Sequence, residues 1–104
     1  MKSQKKEVYS HTVRIPKVLS HCRKDQICVA IYHLSNELFY LKSIKQKATD
    51  EKYSDLCQIK VVLEPKFEDL LQFICKEEKL SVKDTIKYAL ILEEDNPMFF
   101  ENRK

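Results

Sequence analysis

The order of apolar and polar positions divides the chain into stretches of different period. From Val8 to Ile15 the side chains alternate. Tyr9, His11, Val13 and Ile15 fall on one side and Ser10, Thr12 and Arg14 on the other, which predicts a short strand over 8–15, with Pro16 at its end. From Lys17 to about Lys47 the period lengthens. Leu19, Ile27, Ile31, Leu34, Leu38 and Leu41, with Ala30 beside them, form a stripe along an amphipathic helix, strongest from Asp25 to Lys45. Tyr32, Phe39 and Tyr40 lie off the stripe and widen its apolar surface, so more than one packing neighbour is expected. The polar run from Ser20 to Gln26 marks a break, with Asp25 capping a new start. Residues 48–55 are polar and read as a connector.

The segment after the connector carries the clearest pattern. Ile59, Val61 and Leu63 alternate with Gln58, Lys60, Val62 and Glu64, which gives a short strand one apolar face. Pro65 supplies the fixed φ that suits a first helical turn, and Glu68 and Asp69 lie near that helix's positive end. Phe67, Leu70 or Leu71, Ile74 and Cys75 form its buried stripe. Ser81, with Asp84 three residues on, opens a second helix. Its inward positions are Val82, Ile86, Ala89 and Leu90, with Glu93 at the solvent edge, and Asp95-Asn96-Pro97 stops it.

One strand with a single apolar face needs a partner. Two copies of the chain would supply it by pairing strands about a two-fold axis, four helices covering one side of the ribbon. Over residues 57–94 the pattern resembles the ribbon-helix-helix family, that of the Arc and methionine repressors. The matching features are Ile59-x-Val61-x-Leu63, Pro65, Leu71, Ile74-Cys75, Ser81-Val82 and Ile86-x-x-Ala89-Leu90. The resemblance implies a mainly α fold with one short strand per chain: an intertwined homodimer with a two-stranded antiparallel ribbon, plus an N-terminal helical extension.

It also implies a small dimeric transcriptional regulator, a repressor, that inserts its ribbon into the major groove of double-stranded DNA. The groove-facing residues would be Gln58, Lys60 and Val62. Gln suits adenine, Lys suits guanine, and Val offers only apolar contact to a thymine methyl. Ser81 and Val82, at the start of the second helix, would hold a phosphate with Lys83 beside them. Three features depart from the family: Lys79 near a turn that is often Gly, Val62 where a polar residue is usual, and a net acidic C-terminal half.

The expected organisation is an N-terminal extension over 1–56, the ribbon-helix-helix domain over 57–95 and a tail over 96–104. The run Lys24-Asp25-x-Ile27-x-x-Ala30-Ile31 echoes Lys83-Asp84-x-Ile86-x-x-Ala89-Leu90, and Val13 to Lys17 echoes Val61 to Lys66. The two echoes sit at different offsets. A separate helical extension is therefore expected rather than a second copy, packing on the dimer core or joining dimers into a higher oligomer.

Composition narrows the function. The 104 residues include no Gly, which excludes phosphate-cradling glycine loops, and only three Pro, which argues against an all-β fold. The net charge of +3 divides unevenly: residues 1–57 carry 11 basic and 6 acidic side chains, residues 58–104 carry 8 and 10. Lys2, Lys5 and Lys6 form a candidate basic arm along a phosphate backbone. Cys22, Cys28, Cys57 and Cys75 lack metal-site spacing and read as reduced thiols of a cytoplasmic protein, with no signal peptide and no membrane span. Neither a catalytic dyad nor a metal or cofactor site is expected. His11, His21 and His33 all lie in the extension, and Cys75 falls on a buried stripe. The alternative function on the same fold is a dimeric protein-interaction module, such as an antitoxin-like or virus-encoded inhibitor. The acidic half and the Met98-Phe99-Phe100 tail would support it.

Overall fold

The computed structural model describes residues 8–22 and 24–94. They are mostly helical, with one two-stranded antiparallel sheet. The order is β1 (Tyr9–Pro16), α1 (Lys24–Asn36), α2 (Leu41–Lys47), β2 (Leu56–Leu63), α3 (Pro65–Glu78) and α4 (Val82–Glu94). Short 3-10 turns at Lys17–Leu19, Leu38–Tyr40 and Glu51–Tyr53 join them. The chain thus runs strand, helix, helix twice over.

The sheet corrects the expectation of a strand paired across two chains. β2 pairs with β1 of its own chain, in a register that sets Tyr9 opposite Leu63, Thr12 opposite Lys60 and Pro16 opposite Leu56. A strand with one apolar face needs one partner, and β1 has the matching alternation. Val13 and Ile15 from β1 and Val61 and Leu63 from β2 are buried on the inner face, with Ile59 half-buried beside them. A second copy is not needed to cover them.

The helix expected over 17–47 is interrupted twice. A 3-10 turn at Lys17–Leu19 precedes α1, and Glu37 leaves helical geometry at φ −133° and ψ 41° before the next 3-10 turn leads into α2. Asp25 is not the cap; it lies inside the first turn of α1. The stripe itself is buried as its spacing requires: Leu19, Ile27, Ala30, Ile31, Leu34 and Leu41 join the core, with Leu38 half-buried. Tyr32, Phe39 and Tyr40 are exposed.

α3 starts at Pro65, where the missing N–H costs nothing. Its inward residues are Leu71 and Ile74, while Phe67, Leu70 and Cys75 are half-buried. Lys79 ends it at φ 55° and ψ 50°, in the left-handed region. The amides of Lys79 and Leu80 both close onto the carbonyl of Cys75. The Ser81 hydroxyl then accepts the Asp84 amide at 3.1 Å, capping α4.

α4 is the central element and packs against α1, α2, α3 and β1. This explains why its apolar surface is wider than one stripe: Ile86, Ala89, Leu90, Ile91 and Leu92 are all buried. Glu93, expected at the solvent edge, is only 1% exposed. His33 of α1 donates from Nδ1 to one of its oxygens at 3.1 Å, and the other oxygen has no hydrogen-bond partner among the described residues. A second histidine–carboxylate pair joins β1 to α3. His11 donates from Nε2 to Glu68 Oε1 at 2.7 Å, and Gln72 donates to Oε2 at 2.8 Å. Both pairs tie residues before the connector to residues after it.

The connector is also anchored. Asp50 caps its 3-10 turn by accepting the Lys52 amide, and Tyr53 is buried with its hydroxyl donating to Glu94 at 2.5 Å. The Lys17 amide donates to the Asp55 carbonyl at 2.6 Å. Residues on both sides of the connector share one hydrophobic core, which includes Ile31 and Leu34 from the first side and Leu71 and Ile86 from the second.

Candidate nucleic-acid interface

The pleat of the ribbon decides which side chains leave the core. With Val13, Ile15, Val61 and Leu63 turned inward, the intervening residues face the other way. From β2 these are Gln58, Lys60 and Val62. Gln58 and Lys60 are exposed, and Val62 is half-buried. From β1 they are Ser10, Thr12 and Arg14, all exposed.

The register turns two rows into one surface. Arg14 lies opposite Gln58, Thr12 opposite Lys60, and Ser10 opposite Val62. Directly opposed side chains share a face, so five exposed polar residues and one valine make a continuous outer strip. Neither strand contains Asp or Glu, and the two charged groups on the outer strip, Arg14 and Lys60, are both cationic. Lys24, the first residue of α1, lines the same 240 Å³ recess as Lys60 and Val62. His11, on the inner face, is engaged with Glu68 beneath the sheet.

The residues read from sequence as phosphate contacts sit at the start of α4. Ser81 and Lys83 are exposed and Val82 is half-buried. The Ser81 hydroxyl is occupied by its capping bond to the Asp84 amide. First-turn amides of a helix lack intrahelical acceptors, so the backbone at Val82 and Lys83 retains donor capacity. Asp84 in the same turn opposes an anion there. The basic arm Lys2, Lys5 and Lys6, and the tail with Met98, Phe99 and Phe100, lie outside the described residues.

Ser10, Thr12 and Arg14 were legible as the polar side of a strand but not as site residues. The missing information was the identity of the strand's partner. Lys24 gave no signal at all, because its place beside Lys60 depends on how α1 is set against β2.

A second surface feature is apolar. Val29 and Tyr32 of α1 and Lys66, Phe67 and Leu70 of α3 line an open groove of about 500 Å³. Of the cysteines, Cys28 is the buried one. Burial pushes its thiol pKa up against the opposing effect of Lys24, which keeps it in the weakly reactive thiol form. Cys22, Cys57 and Cys75 are half-buried.

No protein-family model, curated protein or solved structure matches this chain.

Proposed function

We propose that this protein is a DNA-binding regulator that lays its two-stranded ribbon in the major groove, as a single-chain counterpart of the ribbon-helix-helix arrangement. The observation that carries the proposal is the outer face of the ribbon. It presents Ser10, Thr12, Arg14, Gln58 and Lys60 to solvent, with no carboxylate in either strand, while the inner face is sealed by the core. A ribbon of this kind fits the width of the major groove. Arg and Lys match the guanine acceptors, Gln matches the adenine edge, and Ser and Thr serve either. Backbone amides at Val82 and Lys83, with the Lys83 side chain, would serve as phosphate contacts. The strand pairing that the family obtains from two chains has its counterpart here in β1 and β2, so a homodimer is not required for the ribbon.

The test is fluorescence anisotropy of the full chain against random-sequence duplex DNA at low and physiological salt. Affinity should fall steeply with salt as counterions are recaptured. Lys60→Ala should weaken binding without changing the fold. Absence of binding at low salt would reject the proposal.

The apolar groove at Val29, Tyr32, Phe67 and Leu70 supports a second reading, a protein-interaction module. Binding through that groove would persist at high salt and be lost on Phe67→Asp.

A further inference from the structure

The two strands of the ribbon are not equivalent, and the register shows where they differ. A local two-fold axis of an antiparallel pair passes through one cross-strand pair. On the outer face that pair is Thr12 and Lys60, flanked by Arg14–Gln58 on one side and Ser10–Val62 on the other. Rotation about this axis carries Arg14 onto Val62 and Gln58 onto Ser10. In a ribbon made from two identical chains the two ends must match. Here one end carries a guanidinium and a carboxamide, and the other a hydroxyl and an isopropyl group.

We infer that one chain reads one non-palindromic duplex site in a single orientation. The inference rests on the groove-binding reading above and specifies its partner. The end with Arg14 and Gln58 takes purines through hydrogen bonds: guanine O6 and N7 for Arg14, adenine N6 and N7 for Gln58. The end with Ser10 and Val62 takes a thymine, whose methyl group meets the valine. Lys60 sits at the centre, with Thr12 opposite it, and breaks the symmetry there as well. Turning the duplex round would set the guanidinium against the thymine methyl and leave the guanine acceptors facing an isopropyl group. One chain is sufficient because all the ladder pairing of the ribbon is intramolecular, and helices of the same chain cover the inner face.

The experiment is a selection of the full chain against a randomised duplex pool at moderate salt. Native mass spectrometry of the complex with the enriched duplex follows. The expected result is a consensus without two-fold symmetry, bound by one chain per duplex. Arg14→Ala should erase preference at one end of the consensus only. It should weaken the selected site by roughly ten- to a hundred-fold, the worth of one bidentate base contact. Val62→Arg should add a guanine at the opposite end and make the consensus more nearly palindromic. Both positions lie on the outer face, and circular dichroism checks that each variant folds. A palindromic consensus with two chains per duplex would overturn the inference and leave the groove reading standing. So would salt-sensitive binding with no consensus. An asymmetric consensus that neither substitution alters would overturn the assignment to the ribbon. No enrichment and no binding at low salt would remove the groove reading itself.

Discussion

The two halves of this chain follow the same order, strand, helix, helix, and do unequal work. Their strands contribute alike: Ile15 and Leu63 are both fully buried, and Arg14 and Lys60 both stand on the outer face. Their second helices do not. α4 spans Val82–Glu94, is capped by Ser81 and is buried from Ala89 to Glu93. Its counterpart α2 spans only Leu41–Lys47, is entered through a 3-10 turn without a side-chain cap and buries Leu41 and Ile44. A strand must match its partner residue for residue, because the pleat and the ladder couple every position. A covering helix has only to supply apolar surface. One long central helix therefore supports the ribbon, and the short α2 packs on that helix.

The largest test of this comparison is to place a charge under each strand. Ile15→Asp and Leu63→Asp each bury an unpaired carboxylate in the same core. Each should cost about 4 kcal/mol or more, a large share of the 5–15 kcal/mol typical of a small domain. Thermal melts followed by circular dichroism should show the native transition lost in both. A folded Ile15→Asp protein would mean that the first half is an appendage rather than an equal member of the ribbon.

The two histidine–carboxylate pairs that join the halves differ in a measurable way. His33→Ala removes the imidazole that pairs with Glu93, whose second oxygen already has no hydrogen-bond partner among the described residues. That should cost about 3 kcal/mol in urea unfolding. His11→Ala leaves Glu68 with its bond from Gln72, and the loss should be about 1 kcal/mol. Equal losses would show that the second bond to Glu68 contributes nothing.

The smallest effect is at the turn between α3 and α4. Lys79 holds a left-handed conformation that glycine adopts without steric cost. Lys79→Gly should therefore raise stability by about 0.5–1 kcal/mol, read as a modest increase in the urea midpoint. A decrease would show that Lys79 makes contacts worth more than its backbone cost.

Much of this fold is legible in the sequence. The alternation of Tyr9, His11, Val13 and Ile15 matches β1, and that of Ile59, Val61 and Leu63 matches β2. Pro65 opens α3, and Ser81 caps α4. Gln58 and Lys60 are exposed on the outer face as their place in the alternation requires. Other features were not legible. Glu93 falls at an edge position of a helical wheel, and only the arrival of His33 from α1 makes its burial tolerable. The break at Glu37 leaves no Pro or Gly to announce it. The two internal echoes sit at different offsets because the strand echo pairs β1 with β2, while the helix echo pairs α1, the first helix of its half, with α4, the second helix of the other. A repeat in topology therefore does not appear as a repeat at fixed spacing.

The sequence by itself determined the periods: which stretches become strands, which become helices, and which side of each strand is apolar. Local sterics and the pattern of apolar residues act over a few positions and need no knowledge of the rest of the chain. Only the tertiary structure decided that β1 is the partner of β2. Strand pairing is chosen among all compatible edges, in the same chain or another, and alternation alone does not distinguish them. That choice brings Ser10, Thr12 and Arg14 alongside Gln58, Lys60 and Val62, and makes the ribbon's outer face asymmetric within one chain.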